Sequence, residues 1–480
     1  MAKRTAIIDI GSNSIRMVIF EKSSRFAFHL IHEAKSRVRI SENAYENGGN
    51  LQDKALSRTF NALKEFQLII KEFKAYKTLI VATSALRDAP NKKEFISKVK
   101  KELGLAIKTI DGDREAYLGG LAAANLLYLE NGLTVDIGGG STELALFKNR
   151  KIIKTISLDL GTVRLKELFF DAHNVEAAKV HINKELEKLS TEFSCDNIIG
   201  IGGTLRALSK MIVEKEDISY KKLHGFTYEL TSQNKYFQKI LNADTQELKK
   251  LGVKQERLDV IQPGLLILTL LIKQIKANTI ITSGVGVREG LYLWDLLRSQ
   301  QEKFPNNYNP SVTSILDRFT SSKVHTSEAI QLFDLCHSHL NIEPHFKNLF
   351  LNAVKLSHIG KELDFYEAHR HAYYQILNGL SYGFSHQDTL LIATLVRFQR
   401  RNSISASHIR KYSAYLPETP TLEALGFLMR LSQALYSDFS QTVELTINES
   451  VLKIEAENTH LLQTRLKELK ENPYLTIELV

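Results

Sequence analysis

Two stretches of the chain can be laid over one another without a gap, and this repeat limits the possible folds more than any other feature. Setting "IIDIGSNSIRMVIFE" (7–21) over "TVDIGGGSTELALFK" (134–148) puts Asp9 on Asp136, Gly11 on Gly138, Ser14 on Ser141 and Phe20 on Phe147. Each copy predicts a strand, a tight polar turn and a second strand. An aspartate inside such an apolar strand is costly to bury unless something pairs it. Gly138, Gly139 and Gly140 leave the backbone bare, so that its N–H groups can wrap a bulky anion. A second pair, "LIVATSALRDA" (79–89) and "IIGIGGTLRAL" (198–208), recurs in the same order and sets Arg87 on Arg206. Buried strand patterns alternate with helical ones such as "SRTFNALKEFQLIIKEF" (57–73), which is an α/β arrangement. Two related domains are expected, residues 1–125 and 126–298, with both glycine turns on one cleft, because ligands of such domains gather where loops leave strand ends.

A chain of 480 residues exceeds what one core usually holds. With 63 Lys plus Arg against 54 Asp plus Glu, the formal net charge of +9 favours anionic partners without naming one. Cys195 and Cys336 match no ligand spacing, and both are expected to be buried thiols in a reducing compartment. The start, "MAKRTAIIDIGSNS", leaves too few apolar positions for a signal peptide, and the run "LLILTLLI" (265–272) falls short of the ~18 to 20 residues a membrane span needs. A cytoplasmic protein is the expectation.

Seven ordered pieces carry a resemblance: the paired turns "DIGSNS" and "DIGGGSTEL", "ATSALRDAPN" (82–91), "SLDLGTVRL" (157–165), "IGIGGTLRAL" (199–208), "ERLDVIQPG" (256–264) and "SGVGVREG" (283–290). Together they resemble the exopolyphosphatase and guanosine pentaphosphate phosphohydrolase family over about residues 5–298. The resemblance implies two duplicated ribonuclease-H-like domains of the actin-like ATPase fold around a phosphate-binding cleft. It also implies inorganic polyphosphate or guanosine pentaphosphate as substrate and Mg²⁺ as cofactor; a homodimer is expected. Neither a membrane nor nucleic acid is expected as partner.

Removing a terminal phosphate requires donors for the phosphoryl charge, a metal and an aligned water. Gly11, Ser12, Asn13 and Ser14 from one turn, with Gly138, Gly139, Gly140, Ser141 and Thr142 from the other, are the candidate phosphate clamp. Asp136 and Glu143, on the two arms of one hairpin, are hard oxygen donors suited to Mg²⁺, and the resemblance puts the metal-binding acids of the family on them. Asp9 is a third candidate ligand. In "TIDGDREAYLGGLAAANLL" (109–127) the residues alone suggest only an acid complementing a helix N-terminus at Glu115. By resemblance, Glu115 is the general base or water-positioning residue. Asp113 and Arg114 depart from the family pattern just before it. Arg87 is expected to bind phosphate through its fork, an ion pair with Asp88 being the competing role. Arg164, Arg206 and Arg288 lie in other matched pieces.

From about Gln300 the texture changes through the linker-like "QEKFPNNYNPSV" (301–312) to helical periodicity. Residues 299–438 resemble a helical HD-like domain in which "LSHIG" offers Ser357 and His358 where a ligand pair would stand, so neither metal nor hydrolysis is expected there. His325, His369 and His371 are expected to be structural or on a substrate path. The basic run Arg397 to Arg401, with Arg410 and Lys411, is either a solvated face or a track for a polyanion. Residues 439–480 predict a small α+β tail: a hairpin over 442–457, a helix and a last strand. The expected function is release of terminal phosphate from polyphosphate or of the 5′ γ-phosphate of guanosine pentaphosphate. An ATP-dependent kinase or ATPase, or a nonenzymatic alarmone sensor, remains open.

Overall fold

The computed structural model describes residues 3–320, 326–436, 443–457, 459–469, 472 and 475–480. His325 lies outside the described residues. The chain divides into two compact units, Met1–Tyr308 and Asn309–Val480.

The first unit holds two mixed sheets, each built on one of the repeated hairpins. Strands β1 (Lys3–Ile10), β2 (Ile15–Lys22), β3 (Phe28–Ser36), β4 (Lys77–Ala82) and β5 (Lys108–Thr109) form a sheet in the order β3-β2-β1-β4-β5. Strands β6 (Gly132–Ile137), β7 (Thr142–Lys148), β8 (Lys151–Leu158), β9 (Asn197–Ile201), β10 (Thr227–Glu229) and β11 (Thr279–Thr282) form the second, in the order β10-β11-β9-β6-β7-β8. In both, the hairpin's first strand is central: β1 pairs antiparallel with β2 and parallel with β4, as β6 does with β7 and β9. Ala6, Ile7 and Ile8 of β1 are fully buried in succession, and Ile10 after Asp9, the signature of a strand covered on both faces. The Asp53–Glu72 helix buries Ala55, Thr59, Ala62, Leu63, Phe66 and Ile70, the helical stripe its sequence predicts, the last four in one core with Ile8, Ile10 and Ile19.

Two helices tie these lobes together. The Gly112–Leu126 helix packs on β7 and β8 of the second sheet, while the Val287–Leu296 helix packs on β1 of the first, and the two helices pack against each other. They meet at Gly290, where a Cβ would run into the carbonyl of Leu118. Tyr292 then stacks 4.6 Å from Phe20 on β2. The glycine is what permits so close a crossing. The apolar run 265–272 lies in the buried Ile261–Ile275 helix. Among the described residues no helix is long and apolar enough to cross a membrane.

The second unit is helical and ends in a three-stranded sheet of β12 (Val443–Asn448), β13 (Val451–Ala456) and β14 (Thr476–Leu479), the hairpin and last strand expected from sequence. Val443, Leu445, Leu452 and Ile454 share one core with Phe333, Phe350, Ile392 and Leu428 of the helices. His358 bonds to Gln433 Oε1 at 2.9 Å, His369 is buried and His371 half-buried. In the basic run, Arg397 lies 4.5 Å from the Tyr373 ring centroid and Arg400 Nη1 donates to Tyr366 O at 3.1 Å. The cysteines correct one expectation. Both are free thiols, but only Cys336 is buried; Cys195 is part-exposed, because it precedes the strand β9 and directs Sγ to Asn197 O at 3.1 Å.

Candidate active site

The repeated hairpins fold to the same local geometry. In each, the first turn glycine donates to the serine three residues on, Gly11 N to Ser14 O at 3.2 Å and Gly138 N to Ser141 O at 2.9 Å. The carbonyls of Ser12 and Asn13 accept from Ser41 and Arg39, and those of Gly138 and Gly139 accept from Thr162, Val163 and Arg164. With the carbonyls engaged in this way, the amides of Ser12, Asn13, Ser14 and Gly139 are left without an acceptor among the described residues. Bare amides on a concave turn are an anion site.

The turns face one another. A Cβ on Gly139 would stand 2.9 Å from Ser12 Cβ and 3.5 Å from Asn13 N. Behind them Ser12 and Ser84 share a hydrogen bond of 3.0 Å. Together the turns wall a cleft of about 140 Å³. Of the residues expected from sequence, Asp9, Gly11, Ser12, Asn13, Ser14, Glu115, Asp136, Gly138, Gly139 and Ser141 line it, while Arg87, Gly140, Thr142 and Glu143 do not. Gly140 is packed among hydroxyls, Thr142 Oγ1 donates to Leu160 O at 2.6 Å, and Glu143 is buried with Oε1 accepting from Ser157 Oγ at 2.9 Å.

The acids crowd together. Asp136 and Glu143 are register partners across β6 and β7, and Asp136 keeps part of its surface toward the cleft. Burial lifts the Asp136 carboxyl to about 6, against the pull of Arg206, and Asp9 adds to the rise. Burial, with the charge of Asp136, lifts Glu143 to about 8, although hydrogen bonds from Ser141 and Ser157 oppose it. Glu115 sits in the first turn of the Gly112–Leu126 helix, which Asp111 caps by accepting from Arg114 N. Burial raises it well above the ordinary carboxylate range, and Glu143, Asp9 and Asp136 push the same way. Its Oε2 atom is buried without a hydrogen bond and lies 3.5 Å from Arg87 Nη1. Arg87 also pairs with Asp88 at 2.9 Å, the competing role weighed from sequence.

Four arginines, Arg16, Arg206, Arg257 and Arg288, answer these acids from the cleft wall. Arg206 is held by Gly202 O at 2.9 Å and Gly284 O at 3.0 Å, and Arg288 by Glu33 at 3.0 Å. The guanidiniums of Arg16 and Arg257 make no hydrogen bond or ion pair among the described residues. Burial and its neighbours Arg16 and Arg288 lower Arg206 to about 10. Sequence reasoning passed over Arg16 and Arg257, as well as Thr83, Ser84, Thr162 and Thr204, which also line the cleft. The repeat carried a signal for Arg16, since the overlay sets it on Glu143.

Among the described residues no three His, Cys, Asp or Glu side chains are grouped to hold a metal ion by themselves. Mg²⁺ requires less, one or two carboxylates completed by water and substrate oxygens. Asp9 and Asp136, both carboxylates on the cleft wall and both pushed up chiefly by burial, form a donor set of that kind.

Two lobes of mixed α/β fold closing on a cleft of bare amides, buried carboxylates and arginines define a phosphoryl-handling protein of the actin-like class. Residues 18–299 match the Ppx/GppA phosphatase family and residues 312–480 match domain III of the Ppx/GppA phosphatases, so the chain belongs to that family. The crystal structure of the Aquifex aeolicus Ppx/GppA family member is 30% identical and covers 64% of this chain and 100% of its own, with a TM-score of 0.54. An exopolyphosphatase from Cytophaga hutchinsonii is 25% identical, covering 61% of this chain and 98% of its own at a TM-score of 0.56.

Proposed function

We propose that the protein is a phosphohydrolase that releases terminal phosphate from inorganic polyphosphate, the 5′ γ-phosphate of guanosine pentaphosphate, or both, by Mg²⁺-assisted attack of water in the cleft. The observation that carries this reading is the convergence of both glycine turns and Glu115 on one cleft. The amides of Ser12, Asn13, Ser14 and Gly139 hold the terminal phosphoryl oxygens, and Arg16, Arg206, Arg257 and Arg288 offset the remaining charge. Asp136 and Asp9 would hold Mg²⁺, with Glu143 behind them fixing the hairpin through Ser157. When bound there, the ion neutralises phosphate oxygens as charge develops. Glu115 takes the proton of the attacking water, burial and the neighbouring acids having raised its affinity for protons above that of an ordinary carboxylate. Arg87 positions the Glu115 carboxylate through their 3.5 Å ion pair.

Purified protein incubated with Mg²⁺ and each substrate in turn should release phosphate from at least one. Glu115→Gln should lower that release by roughly a hundredfold or more, with substrate binding retained. Release from neither substrate by the unaltered protein would defeat the proposal.

A further inference from the structure

The cations of the cleft continue past its rim. Arg16 and Lys35 are register partners across β2 and β3, which sets them on the same side of the sheet. Lys35 is pushed below its ordinary value by burial and then by Arg16, Arg257 and Arg37, against the pull of Glu256. Just beyond β3, Arg37 Nε donates to Asn13 Oδ1 at 3.4 Å and the amide of Arg39 donates to Asn13 O at 3.0 Å. The phosphate turn of the first lobe is therefore tied directly to both arginines. Their guanidiniums then cross to the second lobe and share one carboxylate: Arg37 Nη2 meets Asp259 Oδ1 at 3.1 Å, and Arg39 Nη2 meets Oδ2. All three side chains stay open to solvent, at 30%, 36% and 27% exposure, on an outer depression of about 550 Å³.

We propose that Arg37 and Arg39 form an outer phosphate subsite for groups beyond the reacting end of the substrate, and that Asp259 occupies it as a displaceable carboxylate until they arrive. The choice of ligand rests on the phosphohydrolase reading. A carboxylate and a phosphate offer the arginine fork the same pair of oxygens, and phosphate brings more charge. Part-exposed ion pairs are weak, so the exchange is cheap. Arg16 and Lys35, as register partners, and Arg37 two residues past Lys35 offer a phosphate chain cations between the cleft and the subsite. The further phosphates come either from a linear polyphosphate or from the 3′-diphosphate of a guanosine pentaphosphate.

Arg37→Gln/Arg39→Gln and Asp259→Asn break the same inter-lobe clasp but have opposite effects on the subsite. Steady-state kinetics on long-chain polyphosphate, inorganic triphosphate and guanosine pentaphosphate should show the arginine double variant raising KM for the long chain about tenfold. Its KM for triphosphate should rise at least about fivefold less than its KM for the long chain, and Asp259→Asn should lower the long-chain KM. A rise confined to guanosine pentaphosphate also supports the subsite and assigns it to the 3′-diphosphate. Shifts of the two variants in the same direction, as a mere clasp would give, or an unchanged KM in the arginine variant, overturn it. Should neither substrate be turned over, calorimetric titration of the same proteins with long-chain polyphosphate decides the matter separately. Opposite shifts in Kd support the subsite, and absence of binding to the unaltered protein overturns it.

Discussion

Gly202 lies so close against Asp136 that a Cβ on it would collide with the carboxylate's Oδ1 atom, and its φ of +84° is one that L side chains rarely adopt. The cleft's central acid is thus positioned by a neighbour that has no side chain. Gly202→Ala must strain the backbone at a cost of about 1–3 kcal/mol and displace Asp136. Phosphate release should fall at least tenfold, with the melting temperature lowered by several degrees; full activity in a folded variant would mean that the placement of Asp136 is immaterial.

Gly140 makes a comparable prediction on the other side of the turn. A Cβ there would collide with Ser84 Oγ and stand 2.6 Å from Tyr45 Oη and 3.0 Å from Ser12 Oγ. These hydroxyls belong to the first lobe, so Gly140→Ala pries the two phosphate turns apart. The expected result is a loss of kcat of about tenfold or more, because misplaced donors forfeit much of their effect. A thermal melt shows whether the fold survives.

Stability should depend on pH through Glu143. Its carboxyl is lifted from 4.5 to about 8, chiefly by burial, so the folded protein binds a proton that the unfolded chain releases at lower pH. Stability falls with rising pH wherever the folded state holds more protons, here between about 4.5 and 8. Melting temperatures measured with a chelator present should decline across this window, and less steeply in Glu143→Gln, which carries no charge to bury. Parallel declines in both proteins would count against the burial of that charge.

The Arg257 guanidinium lines the cleft without a hydrogen bond or ion pair among the described residues, whereas that of Arg206 is fastened by two carbonyls. Substituting Gln for Arg257 should therefore raise KM about tenfold and leave the melting temperature nearly unchanged. Arg206→Gln should lower both activity and stability, since it leaves Gly202 O and Gly284 O without their donor.

The sequence made the two hairpins legible because a strand pattern broken by Asp and Gly is rare enough to be recognised twice, and the shared Gly–Ser turn bond explains why the copies are alike. The repeat misled where copies diverge. It equates Arg87 with Arg206, yet Arg206 reaches the cleft from a helix of 14 residues, while Arg87 is the last residue but one of a helix of five, beside the exposed Asp88. Asp136 and Glu143 fold together as the hairpin suggested, but Ser157 on the neighbouring strand β8 draws Glu143 behind the wall. No spacing rule links β8 to that hairpin in advance. Arg257 was hidden for the same kind of reason: its place over Gly203 comes from long-range packing, without a local periodic signal.

The central claim is that two facing turns grip the end of a phosphoanhydride chain. A crystal structure of Glu115→Gln with Mg²⁺ and inorganic triphosphate tests it most directly. The account predicts density for a terminal phosphate between residues 12–14 and residues 138–141, with the metal at Asp136. A terminal phosphate bound elsewhere, with both turns empty, would contradict it.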